Sequence, residues 1–177
     1  VRTIVIGPGI DLGIAVAVDR PSDVGADRLA NAIAAHHLVP GRNAIVVDMG
    51  TATKVDAVSV DGRFIGGAVA PGITPAFTEL TTRAAALACA PPRAAGAAIG
   101  TQTARALESG AVLGAAAMAD ALVERVRSEV GGRPRVVATG GAASIAAPHS
   151  AEIDWVEPAL TLLGVRLVLE RDRARWT

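Results

Sequence analysis

The 177 residues are 51% hydrophobic, enough to fill the core of one compact α/β unit. Seventeen basic and seventeen acidic side chains cancel to a formal net charge of zero, and the arginines are scattered, which argues against a nucleic-acid backbone or an anionic membrane as partner. Aromatic residues make up only 2% of the chain, too few to stack exposed bases.

The chain opens on an apolar run, VRTIVIGPGI, without a Met and without the charged n-region and long apolar h-region of a secretory signal. A processed, truncated or partial chain is the expectation. Val1 to Ile6 and Ile14 to Val18 read as short strands around the breaker-rich GPGIDLG. Asp23 is placed to cap a helix running from Ala26 to His36, which ends at HHLVPGRN. Ala44 to Val47, Thr53 to Val60 and Arg63 to Ala70 read as three consecutive antiparallel strands, joined by a small-residue turn at Asp48–Ala52 and by Asp61-Gly62. A helix over Thr74–Leu87, a Pro-rich loop and a long helix over Thr101–Val130, with breaks possible at Gly110 or Gly114, come next. Arg135–Ala138 and Ile153–Val156 are the last strands, and Pro158 suits the first turn of a closing helix. This order predicts an α/β fold with a mixed sheet, three antiparallel strands and covering helices. No apolar run approaches the roughly 20 uninterrupted residues of a membrane span. Cys89, the single cysteine, can form neither an internal disulfide nor a cysteine zinc site, and His36, His37 and His149 lack further ligands at metal spacing. A soluble chain in the reducing cytoplasm is expected.

Five places carry candidate chemistry. In Asp48-Met49-Gly50-Thr51-Ala52-Thr53 a carboxylate enters a tight bend whose N–H groups and hydroxyls suit phosphate or cation contact, unless it is an ordinary hairpin with a turn-forming Asp. Ala138-Thr139-Gly140-Gly141 follows a strand and precedes a helix, which suits an anion or simply tight packing. Gly25-Ala26-Asp27-Arg28 puts an acid and a base in a first helical turn: Asp27 can accept a hydroxyl proton and Arg28 can fork a carboxylate, or the pair is a capping acid and a solvated arginine. Gly66-Gly67 suggests a bulge or close backbone approach, and Thr101 and Thr103 either cap the long helix or reach a ligand.

Taken in order, GADRLANAIAA, VVDMGTATKVD, GRFIGGAVAPGI, IGTQTARALESG, ATGGAA and PALTLLGV resemble type III pantothenate kinases from about Gly7 to Glu170. The resemblance implies the actin-like, ribonuclease-H-like ATPase fold, with residues 1–40 as the tail of a first subdomain plus an inter-subdomain helix, and 41–177 as the second subdomain. It also implies a homodimer. The implied reaction moves the γ-phosphoryl group of ATP to the primary hydroxyl of pantothenate, giving 4′-phosphopantothenate for coenzyme A biosynthesis, with Mg2+ as divalent cation and K+ or NH4+ as monovalent cation. Asp27 matches the general base, and Gly25, Ala26 and Arg28 match the surrounding pantothenate-binding segment. Asp48 matches the monovalent-cation ligand, Thr51 and neighbouring Gly50 the ATP contact, and Thr103 a substrate contact, while Gly140 and Gly141 border the nucleotide. Three departures stand out. The family's Asp-x-Gly-Asn-Thr phosphate loop does not occur in this sequence, Lys54 stands where a small polar residue is usual, and Met49 replaces an aromatic. The chain alone is therefore expected to be inactive or nearly so. The alternatives are a non-catalytic regulatory or accessory relative, and a sugar or acetate kinase of the same superfold, which GADR followed by DMGTAT disfavours.

Overall fold

The computed structural model describes residues 3–7, 9–84, 92–93 and 96–173; Cys89 and the end of the helix expected to reach Leu87 lie outside them. Valine and isoleucine make up half of β2 (Ala44–Met49) and recur in the central strands β3 (Ala52–Val58) and β4 (Arg63–Pro71), as suits side chains that pack on a pleated surface. These three pair antiparallel, as expected. β5 (Arg135–Thr139) lies parallel to β2, and β6 (Trp155–Val156) parallel to β5. A two-residue strand β1 (Ala15–Val16) joins parallel to the outer edge of β4, so the sheet order is β1-β4-β3-β2-β5-β6. A three-stranded meander extended by parallel strands beside its first member is the ribonuclease-H-like arrangement.

Helices cover both faces. α1 (Ala26–Leu38) and α5 (Leu160–Arg173) pack Leu29, Ile33, Leu160 and Val168 on Val46, Val58, Phe64 and Val137. On the other face α2 (Ile73–Arg83), α3 (Thr103–Val130) and the short α4 (Ala143–Ala146) put Ile73, Ala116, Ala119, Val123 and Ala143 on Ile45, Val47, Val55 and Val136. Every residue of β2 is buried, because both of its faces are covered. α1 is buried over seven consecutive residues, Leu29 to Ala35, because α5 lies across its outer side. Gly164 makes that crossing close: a Cβ there would overlap the Ala30 carbonyl oxygen.

Several expectations are corrected. Residues 3–6 form no strand; Ile4 and Ile6 pack on the core while Val5 stays 75% exposed, so the alternation buries side chains without a ladder. Asp23 does not cap α1. Pro21 starts a separate 3-10 turn over Pro21–Asp23, Gly25 is the N-cap, and Asp23 meets Ser22 and Arg20 instead. α3 runs through Gly110 and Gly114 unbroken, held to the sheet by Ala116, Ala119 and Val123. No side chain caps its start at Gln102. An 18-residue window of α3 has mean hydropathy 1.4, enough by length and composition to cross a membrane, yet this helix also packs its apolar stripe on the sheet. The β3–β4 register shifts between Gly66 and Phe64, with a φ of 100° at Gly66, and a Cβ at Gly67 would overlap the Val55 carbonyl oxygen, so the expected bulge and close approach both occur.

Candidate active site

Side chains alternate along β2 and β3, so Val46, Asp48, Lys54, Asp56 and Val58 all face α1. Asp48 and Lys54 are direct cross-strand partners beside the Gly50-Thr51 turn. The first turn of α1 starts at this end of the sheet and brings Asp27 over them. Lys54 Nζ donates to Asp48 Oδ2 at 2.9 Å and to Asp27 Oδ2 at 3.0 Å. Behind this pair, Asn31 Nδ2 donates to Asp48 Oδ2 at 3.4 Å, and Thr161 Oγ1 of α5 donates to Asn31 Oδ1 at 2.7 Å. A polar chain thus leads from the buried α1–α5 contact out to Asp27. Asp27 is the accessible end, with its side chain 49% exposed against 17% for Lys54 and 12% for Asp48.

Arg28 faces the interior. Its Nε donates to both Asp56 oxygens at 3.2 and 3.0 Å, and one terminal nitrogen donates to Oδ1 at 2.5 Å. The guanidinium also lies 5.3 Å from the centre of the buried Phe64 ring. The carboxylate that Arg28 forks in this structure is therefore Asp56, a strand residue almost wholly shielded from water.

The charges support one another. Burial pushes the Asp27 carboxyl up, but the Lys54 hydrogen bond, the Arg28 N–H and the Lys54 charge together hold it below the usual aspartate range. Burial pulls the Lys54 ammonium down, and hydrogen bonds to Asp48 and Asp27 outweigh that and raise it. Asp56 raises the Arg28 guanidinium by hydrogen bonding, while burial pushes the Asp56 carboxyl up against the pull of Arg28.

Gly140 closes the far side. Asp48 lies opposite Thr139 in the β2–β5 pairing, and Gly140 turns the chain back at a φ of 92°. A Cβ at 140 would stand 2.6 Å from the Met49 carbonyl oxygen and 2.7 Å from Asp48 Oδ1. Only glycine fits this contact, and it sets the two glycine turns side by side. The structure thus brings Asp27, Arg28, Asp48, Gly50 and Gly140 to one corner. Gly25, Ala26, Thr51 and Gly141 stand exposed around it, and Thr103 is exposed at the start of α3. Asp56, Asn31 and Thr161 were not singled out from the sequence. An acid inside the apolar strand KVDAV was a usable signal for Asp56, since a buried carboxylate needs a partner; nothing local marks Thr161. A cavity of about 340 Å³ lies between α2 and α3, lined by Ile73, Phe77, Leu107 and Met118 among others. Among the described residues, no ionisable group lines it. Among the described residues, no group of three or more His, Cys, Asp or Glu side chains is placed to hold a metal.

A family model described as type III pantothenate kinase matches residues 1–125. The chain belongs to the type III pantothenate kinase family. A curated Frankia alni type III pantothenate kinase is 46% identical over 172 residues, covering 96% of this chain and 67% of the relative. The Thermomicrobium roseum type III pantothenate kinase is 47% identical over 175 residues, covering 97% and 66%. The chain therefore spans about two thirds of the length of these family members. Among solved structures, a Campylobacter jejuni protein named as a Baf family transcriptional activator superposes with a TM-score of 0.54 at 17% identity, over 92% of this chain and 71% of that one. That likeness supports the fold of the family.

Proposed function

We propose that this chain carries the phosphoryl-acceptor site of an ATP-dependent kinase that converts pantothenate to 4′-phosphopantothenate. Family membership supports the reaction. The observation that carries the site assignment is Asp27, half-exposed and held by Lys54 at the mouth of a polar chain.

Asp27 accepts the proton of the pantothenate hydroxyl as the hydroxyl oxygen bonds to the γ-phosphorus; the bond from that phosphorus to the bridging oxygen breaks, and ADP leaves. Lys54 keeps Asp27 ionised and aimed, and Arg28–Asp56 fixes the helix start that carries it. The Gly50 and Gly140 turns, where Thr51 and Gly141 lie exposed, let nucleotide phosphates approach backbone N–H groups. Gly25, Ala26 and Thr103 are proposed as pantothenate contacts on the motif resemblance alone. A divalent ion arriving with ATP would supply neutralisation of phosphate charge. A monovalent ion at Asp48 does not fit, because Lys54 already occupies Oδ2, and no step is routed through one. The division at residue 40, the homodimer and the cytoplasmic setting are proposed on the same resemblance.

Incubation of the full-length protein with ATP, Mg2+ and pantothenate, followed by mass spectrometry, tests the reading. Phosphorylated pantothenate is expected. ATP turnover without that product would contradict it.

A further inference from the structure

Asp48 is the residue that the motif resemblance matches to a monovalent-cation ligand, and in this chain the place is taken. Its Oδ2 accepts from Lys54 Nζ at 2.9 Å and from Asn31 Nδ2 at 3.4 Å. An alkali ion on the same oxygen would lie within a few ångströms of a fixed positive charge, and like charges at that range repel. Oδ1 faces the Gly140 turn, where an added Cβ would stand 2.7 Å from it.

Lys54 has the chemistry to replace such an ion. Its head is an ammonium, differing from NH4+ by one N–H exchanged for carbon. It projects from β3 at the position directly opposite Asp48, so the strand pairing delivers it there permanently, and a tethered group needs no concentration in solution. Its side chain is 17% exposed, largely withdrawn from competing ions. The same nitrogen reaches Asp27 at 3.0 Å, tying the cation position to the accepting carboxylate.

We propose that the Lys54 ammonium is a built-in monovalent cation, so that this protein, read as the kinase above, works without K+ or NH4+. Lys54 acts as a positioning residue, through Asp27 and Asp48.

The test compares the full-length protein with Lys54→Thr and Lys54→Gln in potassium, ammonium, sodium and choline chloride at equal ionic strength. Pantothenate-dependent ADP release and the thermal midpoint are both recorded. Wild-type rates should agree within about twofold across the four salts, and each variant should fall at least about tenfold in choline and regain rate in potassium or ammonium. The thermal midpoint of the wild type should be the same in potassium as in choline, whereas the variants should be stabilised by potassium or ammonium, as a ligand that binds only the folded state stabilises it. A wild type that needs potassium for activity, or that potassium stabilises over choline, overturns the proposal, as do variants that neither ion rescues or stabilises. Should no salt support pantothenate phosphorylation, the kinase reading fails while the thermal midpoints still decide the cation claim.

Discussion

Lys54 Nζ holds two carboxylates from different elements, so removing either partner changes the charge felt by the other. Asp27→Asn deletes the proton acceptor and keeps the shape; its exposed pairing with Lys54 contributes little to folding, and cooperative unfolding should be retained. The sign of its pH effect follows from its lowered carboxyl. Asp27 contributes stability in full above the unfolded aspartate value of about 3.9 and loses it as pH falls through the lower folded value. Thermal melts should therefore show any gap between wild type and Asp27→Asn constant from neutral pH to about 5 and closing below about 4. Arg28→Ala acts differently, because it strands Asp56 in the interior; urea unfolding should show a loss of about 3–5 kcal/mol. An unchanged midpoint would mean that water reaches Asp56 freely. Asp27, Arg28 and Asp48 were readable as polar residues at element ends. Their meeting was not, because Arg28 and Asp56 are joined across 28 positions by the packing of α1 on β3.

The α1–α5 crossing sets where the carboxylate corner stands, since α1 carries Asp27 and α5 carries Thr161. Gly164→Ala would drive a methyl into the Ala30 carbonyl and separate the helices, with an expected loss of about 1–3 kcal/mol in chemical denaturation. No loss would show that the helices can part without strain. Periodicity together with turn and proline signals located the five α-helices of the described residues and the meander, because each buries an apolar face against a neighbour. It failed where the outcome depends on a distant partner. Residues 3–6 have strand-like composition but meet no ladder among the described residues, and Gly110 and Gly114 would weaken an isolated helix that tertiary packing holds straight. Asp23 illustrates a nearer rival: Pro21 gathered the local chain into its own turn before α1 began.

At the scale of the molecule, one sheet organises everything: its meander supplies Asp48, Lys54 and Asp56, its parallel extension supplies the Gly140 turn, and the helix on one face delivers Asp27 and Arg28. The six ordered motifs made the family and the α/β class legible, while Thr161, Asn31 and the double pairing of Lys54 with Asp27 and Asp48 emerged only when the layers were stacked. That stacking makes a single carboxylate the point on which the account turns. Pantothenate-dependent ADP release should be measured side by side on the full-length protein and its Asp27→Asn variant at saturating ATP and Mg2+. The expected result is turnover by the wild type and a drop of at least about 100-fold in the folded variant. Undiminished turnover by Asp27→Asn would contradict the account.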